Sequence, residues 1–413
     1  MGLYLTIFMS TSNRVKQIYL DHSATTPVDK PVLKAMLPYF SKIYGNSSSL
    51  HSFGQKALAA VIKARENVAN ILNCQASEII FTSGATESDN LAVLGVVNAL
   101  KKSNQHNKLH VITSVIEHPA VLETFRQLEA KGVEVTYLPV EKNGIVNLEI
   151  FKKAVKDNTV FVSIMYVNSE VGSIQPIREI GKVIEKINKQ RIKQSNKNKI
   201  YFHTDAVQAL IFLNCDVKYL HVDLLSLSAH KIYGPKGVGA LYVKSGTPIQ
   251  GVQLGGHHEK NLRSGTLNVP GIVGLGAAIK LLAKNQVKDN KKIAKLRDEF
   301  VTLIKQKVPK IIINTDLKNA TPAHANISFV GAEGESILIA LDLEGIAVST
   351  GSACASASLK ASPVLLAMGI KDEIAHSTIR FTFGKNNTSE EVKKVLKILS
   401  PLVKRLRKMA PEL

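Results

Sequence analysis

From residue 78 to about residue 228 the chain repeats one pattern: a short run apolar at nearly every position, then a longer stretch apolar at every third or fourth. The runs EIIFTS, HVITS, VEVTYLPV, TVFVSIMYV, KIYFHTD and DLLSLS are rich in β-branched residues and too short for helices, so they predict strands. Between them ESDNLAVLGVVNALKK, PAVLETFRQLEAKG and a stretch from about Ile177 carry the helical period. Strands that are apolar throughout and separated by helices predict an α/β domain whose mostly parallel sheet is covered on both faces.

After about residue 286 the pattern changes. ANISFV, GIAVSTG and STIRFTFG read as strands, GESILIALDLEG and SEEVKKVLKILSPLVKRLRK as helices, which predicts a smaller α+β domain closed by an amphipathic helix. The expected division is a large domain over 29–286 and a small one built from 1–28 with 287–413. A chain of 413 residues is long enough for two such cores.

Composition narrows the class. Hydrophobic residues make up 45% and charged residues 21%, which excludes a disordered chain, and no apolar run reaches the ~20 residues of a membrane span. Three scattered cysteines, Cys74, Cys215 and Cys354, exclude a disulfide framework and any CxxC metal knuckle, and fit a reducing compartment such as the cytoplasm. MGLYLTIFMSTSNR at the start lacks the basic flank and cleavage pattern of a signal peptide. The formal charge of +20 suits an acidic protein partner. Its excess lies on solvated helix faces and in KQRIKQSNKNK (189–199), without interleaved aromatics, so nucleic acid is not expected as a main partner.

Candidate chemistry gathers at the strand ends, where open α/β sheets bind ligands. TSGATESDN follows the first strand; Gly84 permits a turn and Thr86 is expected to cap a helix whose open N–H groups suit a phosphate as well as an ordinary cap. His118 precedes Pro119 at the mouth of the sheet, and Asn168 ends another apolar run. Asp205, at the end of KIYFHTD, should be partly buried and in want of a donor or cation. Ser228, His230 and Lys231 lie on a turn between strands, and a lysine in a dry cleft becomes nucleophilic toward carbonyls. An amine, a buried carboxylate and an anion cup are together three requirements of pyridoxal phosphate binding. Cys354 stands among Ser, Gly, Ala and Thr in VSTGSACAS, a setting with nothing large to pack against.

YLDHSATTPV (19–28), TSGATESDN (82–90), EHPAV (117–121), HTDAVQ (203–208), SAHKIYGPKGVGALY (228–242), RSGT (263–266) and STGSACASAS (349–358) together resemble the cysteine desulfurases of the NifS/IscS branch, fold-type I enzymes of the class-V aminotransferase family. The resemblance implies an enzyme that takes sulfur from L-cysteine with pyridoxal phosphate, releases L-alanine and leaves a persulfide on Cys354 for iron–sulfur cluster assembly or tRNA thiolation. It implies that Lys231 carries the cofactor, Asp205 pairs with its ring nitrogen, His118 stacks on the ring and Gln208 binds its hydroxyl. Ala85, Thr86, Ser228 and His230 would hold the phosphate, with Thr266 reaching it from a second copy of a homodimer. Asn168, Arg380 and Asn46 would clamp the substrate carboxylate, Asn168 also touching the cofactor. No resident metal is implied; Cys354 would at most meet a 2Fe–2S cluster transiently during transfer. Selenocysteine lyase, another class-V lyase, and a non-catalytic basic binding protein are the other readings.

The chain departs from the family pattern in places. Ser47 stands where proline is frequent, Ala229 where glycine is, and His257 and Asn261 where residues are smaller. The 189–199 loop is some ten residues longer than usual, and the C-terminus stops early, which weakens the expectation of an iron–sulfur scaffold as the partner.

Overall fold

The structure, a computed structural model, describes residues 17–103, 108–194, 196, 198–350 and 361–409. Cys354 lies outside them. In chain order the strands are β1 (Ile18–Tyr19), β2 (Ile79–Thr82), β3 (His110–Ser114), β4 (Glu134–Leu138), β5 (Thr159–Ser163), β6 (Tyr201–Asp205), β7 (Leu224–Ser228), β8 (Gly239–Val243), β9 (Ile311–Ile313), β10 (His324–Phe329), β11 (Ile346–Ala347), β12 (Ser349–Thr350) and β13 (Thr378–Thr382).

Seven of them form one sheet in the order β2-β8-β7-β6-β5-β3-β4. Its pairs from β7 through β6, β5 and β3 to β4 are parallel, and β8 alone runs antiparallel to both neighbours. The parallel strands are apolar on both sides because helices cover both faces, so β3, β5 and β7 are buried along their whole length. A second sheet, β12-β13-β10-β9, is antiparallel, and β1 pairs in parallel with β11.

Of the four apolar clusters against these sheets among the described residues, two are the largest. One gathers residues from Val32 to Ile279; the other joins Ile18 and Leu20 to residues from Ile293 to Val403. The helix Val269–Lys307 runs through both, contributing Leu275 and Ile279 to the first and Phe300 and Ile304 to the second. Phe300 packs its ring against Phe381 and Phe383, with centroids 4.7 and 5.5 Å away.

Two predicted strands are shorter than their apolar runs. TVFVSIMYV is regular strand only to Ser163: beyond it Ile164 N and Tyr166 N still donate to β6, while the Met165 N–H turns to the Glu117 carboxyl, 2.9 Å away. GIAVSTG divides at Val348: Ile346 and Ala347 pair with β1, Ser349 and Thr350 with β13. No described helix is long and apolar enough to cross a membrane.

Candidate active site

The sheet topology brings the C-terminal ends of β2, β6 and β7 to one side, and a cavity of about 650 Å³ opens there. Its wall includes Ala85, Thr86, His118, Asp205, Gln208, Ser228, His230, Lys231 and Arg380. These nine come from five separate stretches of sequence.

Lys231 sits on a single turn of 3-10 helix (Ala229–Lys231) directly after β7. Its amine donates to the carbonyls of Ser23 and Ala24, at 2.5 and 2.7 Å. The Ser23 carbonyl also accepts from Gln208 Nε2 at 2.9 Å. His230 shares its Nδ1 with the Thr25 hydroxyl at 3.1 Å, and burial, then the charges of Lys231 and Lys236, press its pKa down to about 4.

Asp205 ends β6 in a fully buried position. Burial raises its pKa, while the Val207 N–H (2.9 Å from Oδ1) and the nearby His118 and Lys231 favour its charge. Asp89 is buried beside it, and burial, then the Asp205 charge, hold its pKa well above the carboxylate range against the pull of Ser226. His203 Nε2 lies 3.7 Å from Asp89, but burial drives the histidine pKa down to about 3, so the pair is neutral rather than ionic. Behind His118, Glu117 accepts from Met165 N and the Ser114 hydroxyl, and burial pushes it up to about 8.

The helix Ala85–Ser103 begins one residue before Thr86. Thr86 therefore lies inside the first turn rather than capping it. Its neighbours have N–H groups that the helix leaves open, and Glu87, pairing with Arg263 at 2.8 Å, accepts the Ser83 N–H. Gly239, between Thr82 and Ser228 in the sheet, lets this turn close in: a Cβ there would stand 2.6 Å from the Leu227 carbonyl and 2.8 Å from Gly84. His118 caps the helix Pro119–Ala130, its Nδ1 accepting the Ala120 N–H at 3.1 Å.

Three residues singled out in the sequence stand apart from the wall. Asn168 is buried behind it with its amide committed, Oδ1 accepting from Glu170 N and Val171 N and Nδ2 donating to the Ile116 carbonyl. Asn46 and Thr266 are exposed elsewhere on the chain. Conversely, Ser23, Ala24 and Asp89 line the cavity and were not expected to. Asp89 carried a usable signal, standing one helical turn beyond Ala85 on the same face; Ser23 and Ala24 act through carbonyls, which no residue type announces. His257 and His258 belong to no metal-binding cluster among the described residues.

Residues 18–395 match the family model Aminotransferase class-V. The chain is 46% identical over 398 residues to the protein named Cysteine desulfurase IscS of Clostridium botulinum (strain Hall), covering 96% of each. A solved structure titled NIFS-LIKE PROTEIN superimposes with a TM-score of 0.86 at 38% identity, over 94% of this chain and 100% of that one. Another, titled SspA in complex with cysteine, gives 0.76 at 35% identity, over 90% and 100%. With its seven-stranded sheet, its strand-end cavity and these full-length likenesses, the chain belongs to the class-V aminotransferase family, on the cysteine desulfurase branch of NifS-like and IscS proteins.

Proposed function

We propose that this protein is a pyridoxal-phosphate-dependent cysteine desulfurase, converting L-cysteine to L-alanine and passing the sulfur through a persulfide on Cys354 to an acceptor protein. The observation that carries the reading is one cavity walled by the Lys231 amine, the buried Asp205 carboxyl and the open first turn at Ala85. These fit pyridoxal phosphate chemically: the amine suits its aldehyde, the acid its pyridine nitrogen, the N–H groups its phosphate. About 650 Å³ also leaves room for an amino acid beside it.

In this reading Lys231, Asp205, Gln208 and His118 hold the ring, and Ala85, Thr86, Ser228 and His230 hold the phosphate. Bound pyridoxal phosphate supplies an electron sink for bond-breaking at the substrate. The protein does the rest. Lys231 moves between its attachment and the Ser23 and Ala24 carbonyls, and from there its amine can take up or return a proton. Arg380 binds the substrate carboxylate with the bidentate geometry a guanidinium offers; of the proposed clamp it alone lies on the wall. Asn168 supports the clamp from behind, through the turn that carries Ser169. Cys354, as thiolate, takes the substrate sulfur.

Thr266 and Asn46 enter this scheme only in a homodimer. Leu33, Leu37, Phe40, Tyr44, Leu50 and Phe53 expose 47–91% of their surface on neighbouring stretches, an apolar face that supports a second copy as its cover. Cys74 and Cys215 are unpaired, in keeping with work in the reducing cytoplasm. The acceptor is an iron–sulfur scaffold or a tRNA-thiolation enzyme.

The test is reconstitution with pyridoxal phosphate, following alanine release and protein-bound radioactive sulfur from labelled L-cysteine. Lys231→Ala should lose both. Undiminished alanine release by Cys354→Ser would refute the persulfide route.

A further inference from the structure

Among the described basic side chains lining the cavity, Arg380 alone is buried, with a side chain 4% exposed. It stands in the middle of β13, paired to Asn326 on one side and Ser349 on the other. Its Nη2 donates to Asp21 Oδ1 at 2.7 Å, its Nη1 to the Ser169 carbonyl at 3.1 Å, and its buried Nε has no partner among the described residues. Asp21 does not itself line the cavity. It meets Arg380 from behind, fixed by a backbone bridge to Thr382 and by the turn in which Ala24 N donates to its carbonyl.

We propose that Asp21 is a specificity-determining residue acting through Arg380: it neutralises the carboxylate clamp from behind, so that the cavity favours amino-acid zwitterions over simple carboxylate anions. The inference rests on the desulfurase reading only in taking Arg380 as the carboxylate clamp. A buried guanidinium without a counter-charge would attract any anion that reached it. With Asp21 at 2.7 Å the charges of the Arg380–Asp21 pair sum to zero. A carboxylate can still take hydrogen bonds from the second N–H of Nη1 and of Nη2, each of which has one acceptor already, but it gains little from the longer-range field. An anion feels the loss fully, whereas a zwitterion's ammonium gains from the same negative charge what its carboxylate loses. Backbone contacts on two sides hold the Asp21 main chain in place beside Arg380.

The experiment compares two probes that cannot condense with the cofactor: N,N-dimethylglycine, a zwitterion, and 3-methylbutanoate, its near-isosteric anion. Their affinities for the cofactor-loaded enzyme are read by ligand-observed NMR titration. In Asp21→Asn the anion should bind about tenfold more tightly, from unmasking a charge in the cavity wall, while the zwitterion changes by less than about threefold. An anion affinity that is unchanged or weaker in a variant with native melting overturns the proposal. Asp21→Ser is the second variant should the first fail to fold. The unsubstituted enzyme provides a check of its own: if it binds the anion about tenfold better than the zwitterion, or binds neither probe, the proposal fails. Neither probe carries sulfur, so these outcomes are independent of alanine release from L-cysteine, which tests the desulfurase reading separately.

Discussion

Replacing Glu117 by glutamine isolates a pH effect whose size the structure sets. Glu117 is buried at the mouth of the sheet, accepting from Ser114 Oγ at 2.6 Å and from Met165 N at 2.9 Å. Burial is the dominant influence and raises its pKa from 4.5 to about 8, against the lowering pull of those two donors. The fold therefore binds this proton more tightly than the unfolded chain does. Its contribution to stability is fully present below about pH 4.5 and is lost as pH rises toward the folded pKa. At about 1.4 kcal/mol per pH unit the loss approaches 5 kcal/mol by about pH 8, after which both states are ionised and the curve flattens.

Glutamine keeps the volume and an oxygen for Met165 N but cannot ionise. Denaturant unfolding of both proteins, measured at intervals from about pH 5 to 9, gives a difference curve in which other titrating groups cancel. The variant should gain on the parent by about 3 to 5 kcal/mol across that range, with most of the change below pH 8. Parallel curves would mean that Glu117 is ionised throughout, and would refute the reasoning. Because Glu117 precedes His118 and ties down Met165, both lining the cavity, the same titration should loosen the wall above pH 8, seen as weaker pyridoxal phosphate retention in the parent only.

Gly239→Ala would place a methyl 2.8 Å from the Gly84 backbone; the turn at Ala85 must shift, and phosphate-dependent retention of pyridoxal phosphate in equilibrium dialysis should weaken by about tenfold or more. Arg191 is buried and donates to the carbonyls of Thr159 (2.7 Å), Asn198 (2.5 Å) and Lys156 (2.5 Å). Arg191→Met should cost about 3 kcal/mol in denaturant unfolding, from three carbonyls that lose a charged donor, that of Lys156 keeping the Thr159 N–H. Phe300→Ala, which empties the centre of the second core, should cost about 3 to 5 kcal/mol by the same assay and leave alanine release per folded molecule near the parent value.

The large sheet was legible because most of its strands are buried on both faces, the edge strand β4 excepted, and so appear as largely apolar runs. The polar residue ending such a run then stands out. Asp205 and Lys231 were found in this way, and the cavity contains both. The long helix Val269–Lys307 was less legible: it serves two cores in turn, so its apolar face shifts along its length and no single period describes it. The short strands β11 and β12 were merged because two different partners share one apolar run.

The clamp shows where this kind of reading stops. A strand-ending asparagine looked like a ligand contact, yet the chain leaving β5 must turn at once, and Asn168 Oδ1 supplies the acceptor for two of the turn's N–H groups. The contact with Arg380 is made instead by the Ser169 carbonyl, which accepts from both Arg380 and the Ser23 hydroxyl. Ser23 in turn offers its own carbonyl to Lys231 and Gln208, and its N–H to Thr382. Clamp and amine are thus joined by backbone atoms that any residue could supply. What restricts the residue is the space around them: Ser23 is 4% exposed, and a larger side chain there would push apart the carbonyls that hold Arg380 and Lys231 in the same cavity. The small residues of YLDHSATTP, which offer no chemistry of their own, are therefore as constrained as the lysine they receive.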